Sequence, residues 1–199
     1  MTPNPPIYAS RAGLKLQAAL DAFQLDVTGL TCADLGCSTG GFTDCLLQHG
    51  AGHVFAVDTA YGELAWKLRQ DPRVTVLERS NALHTKPLAA CGLATIDLGW
   101  TPQRLAIPAA GLWLSDDPAA RIITLVKPHY EATADAFSGG KKGKLDDTRA
   151  LEVADGVLQD LDNEGFTTLN RIESPIRGGK GGNLEVLALL GRSRDVSKM

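Results

Sequence analysis

The sequence predicts an α/β protein with a doubly wound, mostly parallel sheet, helices on both faces and an antiparallel strand at one edge. Three observations predict it. Short apolar runs alternate with stretches of helical periodicity from about residue 10 onward, the pattern of repeated strand–helix units. Two runs, "ATID" and "IITLVK", finish on a bare charge, Asp97 and Lys127; an unpaired charge is costly to bury, so both belong at strand ends that reach the rim of a sheet. The last two runs, "FTTLNRI" and "NLEVLALL", have only the loop "IRGGKGG" between them, which calls for an antiparallel pair.

Each element follows in order. Ser10 is placed to cap a first helix in which Leu16, Leu20 and Phe23 recur at helical spacing. "TCADLG" reads as a buried strand, "GGFTDCLLQHG" as a helix stopped by Gly50, and "HVFAVD" as the second strand. "GELAWKLRQD" reads as a helix with Pro72 just beyond it, "VTVLE" and "GLATID" as the third and fourth strands, and "PQRLAIPAAGLWL" as a helix interrupted or restarted at Pro108. "ARIITLVK" is the fifth strand, closed by Pro128, because a residue before proline is driven out of the helical region. After a Gly- and Lys-rich loop over about 131 to 145, Ala150, Val153, Ala154, Val157, Leu158 and Leu161 trace one helical stripe that stops at Gly165. No internal repeat or domain boundary interrupts residues 1 to 199, and the length suits one domain with a substantial core.

Composition narrows the class. The 44% hydrophobic and 22% charged residues are those of an ordinary globular protein, with no apolar run long enough to span a bilayer. "MTPNPPIYASR" lacks the basic-then-apolar pattern of a secretory leader, so a cytoplasmic location is expected. Cys32, Cys37, Cys45 and Cys91 form no CxxC pair and the four histidines are scattered, so neither a metal site nor a disulfide framework is expected. A net charge of −3 argues against nonspecific coating of nucleic acid, yet local basic clusters exist: Lys141, Lys142 and Lys144 in one loop, Arg177 and Lys180 in another, and Arg192, Arg194 and Lys198 in the tail.

"DLGCSTGGF", Asp34 to Phe42, joins the first strand to its helix. Gly36, Gly40 and Gly41 permit close approach of backbone to a ligand, and Ser38 stands where a dinucleotide GxGxxG fingerprint would require glycine. Asp58 ends the second strand, 24 residues after Asp34, where a carboxylate can hold both hydroxyls of an adenosine ribose. Asn81 can meet an adenine edge or form an ordinary Asx turn. Asp97 can serve chemistry or cap the helix at "TPQRL". Lys127, Lys15 and Glu185 each have a bland alternative: a rim salt bridge, a solvated helix face, an exposed edge strand.

Taken together, "YASRAGLKL", "DLGCSTGGF", "AVDTAYGELAWKLRQDPRV", "ATID", "LVKPHYE" and "GNLEVLALL" stand in the order of a known family. The chain resembles the FtsJ-like RNA 2′-O-ribose methyltransferases, most closely the TlyA-type rRNA methyltransferases that also carry the name hemolysin, over about residues 8 to 190. The resemblance implies a Rossmann-like methyltransferase domain with a seven-stranded sheet, S-adenosylmethionine (SAM) as cofactor and RNA, ribosomal RNA or a ribosomal subunit, as substrate. It places a catalytic Lys–Asp–Lys–Glu tetrad on Lys15, Asp97, Lys127 and Glu185, and SAM contacts on Gly40, Phe42, Asp58, Asn81 and Asp97. A lysine that takes a proton from a ribose hydroxyl must be neutral, whereas free lysine has a pKa of about 10.4; burial and a second cation, Lys15, are expected to lower that of Lys127. Competing readings are a non-catalytic RNA-binding or ribosome-assembly factor and an NAD oxidoreductase.

The chain also departs from the family. Only "MTPNPPI" precedes "YASRAG", where TlyA-type proteins carry a small S4-like RNA-binding domain, so either a partner supplies RNA affinity, or the substrate differs, or this sequence is a piece of a longer chain. "LGWTPQRL" replaces a Ser–Phe-rich stretch, with Trp100 either stacking on a base or packing on a helix, and "KPHYE" replaces Lys-Pro-Gln-Phe-Glu.

Overall fold

The computed structural model describes residues 7–132, 145–179 and 182–193. Lys141, Lys142, Lys144, Lys180, Arg194 and Lys198 therefore lie outside the described residues. The elements run α1 (Ala12–Phe23), β1 (Thr31–Leu35), α2 (Gly41–Gln48), β2 (His53–Val57), α3 (Trp66–Arg69), β3 (Val74–Leu77), β4 (Leu93–Ile96), α4 (Gln103–Gly111), β5 (Arg121–Val126), α5 (Pro128–Glu131), α6 (Asp147–Asp162), β6 (Phe166–Glu173) and β7 (Val186–Arg192).

The strands form a seven-stranded sheet in the order β3-β2-β1-β4-β5-β7-β6. Strands β1 to β5 pair in parallel, and β7 runs antiparallel to both β5 and β6. The antiparallel pair expected at one edge is present, and within it the reversed strand lies one position inside the edge. The chain crosses over α6 before laying down β6, which leaves a slot beside β5 that the returning β7 fills.

Each central strand is buried on both faces, and its side chains alternate between two cores. Ile122 and Val126 of β5 join the core beneath α4 and α6, with Ile107, Trp113, Ala154 and Leu161. Ile123 and Leu125 face the opposite core, with Leu16 and Leu20 of α1 and Leu46 of α2. Every such Leu or Ile contributes about 2 kcal/mol on burial, which is why continuous apolar runs here are strands between helices. The stripe of α6 buries Ala150, Ala154, Leu158 and Leu161, and Asp146 caps the helix by accepting from Arg149 N at 2.9 Å.

Several local expectations change. Ser10 Oγ does accept Ala12 N (3.3 Å), but α1 has Arg11 as its N-cap residue. The third helix is a single turn rather than residues 62 to 71: Asp58 captures Ala60 N (2.8 Å), Glu78 captures Gly62 N (2.7 Å), and Gly62 takes φ +80°. Those side-chain bonds compete with helical ones. α4 passes through Pro108 without a break; Pro108 lies on the exposed face. Pro128 closes β5 and also starts the one-turn helix α5.

Candidate active site

Strands β1 and β4 are neighbours whose connections leave in opposite directions, the switch point where α/β sheets bind ligands. Gly36 follows β1 with φ +91°, and a Cβ there would stand 2.7 Å from the carbonyl oxygen of Asp97; glycine lets the two strand ends meet. Gly40 and Gly41 do something else. A Cβ on Gly40 would strike Leu68 and Leu64, and one on Gly41 would strike Ser10 Oγ. The space beside their Cα atoms is taken up by these neighbouring side chains.

Of the cavities along this rim, three include Asp97 in their walls. The first, about 290 Å³, is lined by Gly36, Ser38, Asp58, Asn81, Asp97 and Leu98 among others. Ser38 N and Ala60 N donate to the two oxygens of Asp58, each at 2.8 Å, so the carboxylate is fixed and each oxygen keeps a free lone pair. Asn81 lines the same cleft and also forms an Asx turn, its Oδ1 accepting Leu83 N at 2.9 Å. The second cavity, about 260 Å³, is bounded by Ser10, Ala12, Ser38, Thr39, Phe42, Asp97 and Lys127. The third, about 350 Å³, contains Lys15, Asp97, Lys127, His129, Tyr130 and Glu185. Asp97 lines all three.

Asp34 is not on any of these walls. It is fully buried, accepting from Thr43 Oγ1 (2.6 Å) and Thr95 Oγ1 (3.0 Å), and burial pushes its carboxyl up to about 6. Its hydroxyl partners tie β1 to α2 and β4 behind the glycine loop.

The four charged residues of the third cavity form two ion pairs. Lys127 Nζ lies 2.5 Å from Asp97 Oδ1 and donates to the carbonyl of Leu98 at 3.2 Å. An ammonium has three donors, so one remains for the cavity. Lys15 Nζ meets Glu185 Oε2 at 2.5 Å, with the residues only 8% and 4% exposed. Each lysine thus has its own carboxylate. Glu185 fits because Gly178 is opposite: a Cβ there would lie 2.1 Å from Glu185 Oε1. Sequence reasoning missed Gly178; its signal was the run "RGGKGG".

The bland readings separate here. Lys15 is no solvated face and Glu185 no exposed edge. Asp97 does not cap α4; Glu131 does, accepting Gln103 N at 2.8 Å, and its carboxyl is raised by burial. Trp100 rests on Tyr130 of α5, ring centroids 4.3 Å apart, and is still 79% exposed. His129 packs at a tilt against Tyr130, and burial, then the nearby Lys127 charge, lower its pKa. Two of the basic residues are engaged structurally: Arg177 makes a bidentate pair with Asp147 (2.5 and 2.7 Å), and Arg192 donates to Gly111 O and Ser115 O at the end of α4.

A sheet of this order, here with the Asp58 carboxylate after β2 and a cleft at the switch point, is the fold of solved methyltransferase domains that superpose with TM-scores of 0.64 at 16% and 18% identity. The chain belongs to one family within it, the FtsJ-like methyltransferases, whose model matches residues 8–191. It is 42% identical over 189 residues to "Putative rRNA methyltransferase YqxC" of Bacillus subtilis, covering 92% of this chain and 66% of that one. It is 38% identical over 198 residues to "16S/23S rRNA (cytidine-2'-O)-methyltransferase TlyA" of Mycobacterium tuberculosis, covering 98% and 72%. Among solved structures, "Putative hemolysin from Streptococcus thermophilus" superposes with a TM-score of 0.87 at 35% identity, over 99% of this chain and 73% of that one. The chain spans about two thirds of the length of the Bacillus relative. Among the described residues no helix is long and apolar enough to cross a membrane.

Proposed function

We propose that the chain transfers a methyl group from SAM to a ribose 2′-hydroxyl of ribosomal RNA. The observation that carries this reading is the position of Asp97 on the wall shared by both clefts and the cavity holding Lys15 and Glu185, with its partner Lys127 lining the second cleft and that cavity. The residues suit SAM. Asp58, with Asn81 beside it, holds the adenosine ribose in the first cleft, and Gly36, Ser38 and Phe42 bound the path to the second, where the methionine portion lies. Asp34, Gly40 and Gly41 support this loop from behind. Bound SAM supplies a methyl already activated by a positive sulfur.

The protein then supplies proximity and proton management. The third donor position of Lys127 orients the acceptor hydroxyl; in its neutral form Nζ takes the hydroxyl proton as the C–O bond forms and the C–S bond breaks. Asp97 holds the resulting ammonium beside the reacting atoms. Lys15 and Glu185, locked to each other, shape the acceptor wall. Ribosomal RNA is favoured because both curated relatives named above are rRNA methyltransferases by name. Lys141, Lys142, Lys144 and Lys180 follow Lys127 and precede Glu185 in sequence, and suit phosphate contacts that position RNA without reading it. A partner that adds RNA affinity fits the same reading.

The test is transfer of labelled methyl from SAM to separate pools of transfer RNA, free ribosomal RNA and ribosomal subunits, followed by nuclease digestion to nucleosides. Label recovered as 2′-O-methylnucleoside from a ribosomal pool is the expected result. Label on a base, or in transfer RNA alone, contradicts the proposal.

A further inference from the structure

Asp44 lies on α2, one turn inside the glycine loop, and belongs to neither the cofactor walls nor the tetrad. It is 4% exposed and carries three bonds. Its Oδ2 accepts the backbone N–H of Ala9 at 2.7 Å and meets Lys67 Nζ of α3 at 2.6 Å, while Oδ1 accepts Gln48 Nε2 at 3.1 Å. Gln48 Nε2 also reaches the carbonyl of Ile7 at 2.9 Å. Two side chains of α2 therefore grip the segment 7–9 from one face.

What that segment leads into matters. Tyr8 is buried against Gly13, where a Cβ would come within 2.5 Å of the ring. Ser10 and Ala12, the next residues, form a wall of the second cavity, with Ser10 Oγ set directly over Gly41. One turn further, the same helix delivers Lys15 to Glu185. α3 is fastened too: Ala65 N donates to Thr39 O in the glycine loop at 3.2 Å, and Leu64 and Leu68 fill the space that Gly40 leaves. The three pieces around the methionine end of the cofactor site meet on one carboxylate.

We propose that Asp44 is a positioning residue for SAM binding: it clamps the strap Ile7–Ala12 onto α2 and α3 and so closes the wall of the second cavity without touching the cofactor. This rests on the assignment of that cavity to SAM. A bond from a charged acceptor to a buried N–H is strong enough that its loss costs roughly tenfold or more in an equilibrium that depends on the closed wall.

The experiment is calorimetric titration of SAM into the wild-type chain, Asp44→Ala, Asp44→Asn and Leu161→Ala, with thermal melts of each. Leu161 sits in the core on the far side of the sheet and serves as a destabilised control. Asp44→Ala is expected to bind SAM about tenfold more weakly, and Asp44→Asn to recover part of that affinity, because its amide oxygen still accepts Ala9 N–H. Leu161→Ala is expected to melt lower while keeping wild-type affinity. Wild-type affinity in Asp44→Ala overturns the inference and leaves the cofactor assignment standing, as does an equal loss in Leu161→Ala, which would trace the effect to stability alone. A wild-type chain that binds no SAM overturns both.

Discussion

Breaking the Lys15–Glu185 pair separates what this ion pair does for the fold from what it does for the reaction. The two residues are 8% and 4% exposed, their charged atoms are 2.5 Å apart, and Gly178 presses against the carboxylate, leaving little room for water. Lys15→Met leaves Glu185 charged and unpaired in that site, which costs about 3 to 5 kcal/mol. Replacing both, Lys15→Met with Glu185→Leu, removes the two desolvation costs together and is expected to fall within about 1 kcal/mol of wild type. Urea unfolding of the two single variants and the double variant gives the coupling directly, and the single variants should melt roughly 10 °C lower. Methyl transfer is measured on the same samples. The double variant should regain stability and remain inactive, because the acceptor wall has lost both polar groups. A Lys15→Met variant within about 1 kcal/mol of wild type would refute the reasoning, since it would mean that the pair is effectively solvated.

Two further outcomes follow from the site. Asp34 has its carboxyl raised from 3.8 to about 6 by burial, so its charging opposes folding. Its stabilising contribution is fully present below the unfolded value near 3.8 and is lost as pH rises through 6; at about 1.36 kcal/mol per pH unit the loss is about 3 kcal/mol. The unfolding free energy of Asp34→Asn, relative to wild type, should therefore improve by most of that amount, about 2.4 kcal/mol, between pH 4 and 7, and a pH-independent difference would contradict it. Asp58→Ala should weaken SAM binding by about tenfold to a hundredfold through loss of two charge-assisted bonds, read by calorimetry, with unchanged affinity arguing against the ribose assignment.

Much of this molecule was legible in its sequence for identifiable reasons. Strands such as "IITLVK" are apolar on both faces because helices cover both, so their runs stand out without alternation. Asp97 and Lys127 announced themselves by ending such runs. What stayed hidden depended on neighbours distant in the chain. Whether Asp97 capped α4 was open until Glu131 proved to hold that position. The shortening of α3 depends on Asp58 and Glu78 diverting backbone N–H groups, a competition that local periodicity does not register. Gly40 and Gly41 carry the signature of ligand approach, yet Leu64, Leu68 and Ser10 occupy the space they leave. Lys15 looked like a surface residue because its partner, Glu185, lies 170 positions away. Asp44 gave no signal at all, since a lone aspartate in a helix is ordinary until Ala9 and Lys67 are seen to converge on it.

In the proposed reaction Lys127 acts on the acceptor hydroxyl while the cofactor site stands independently of it. The most direct measurement pairs SAM binding with single-turnover methyl transfer to ribosomal RNA in Lys127→Ala and wild type. Wild type is expected to bind SAM and methylate a ribose, and Lys127→Ala to bind SAM still but to transfer at least a hundredfold more slowly, about 3 kcal/mol of lost transition-state stabilisation. Transfer by Lys127→Ala at the wild-type rate would contradict it.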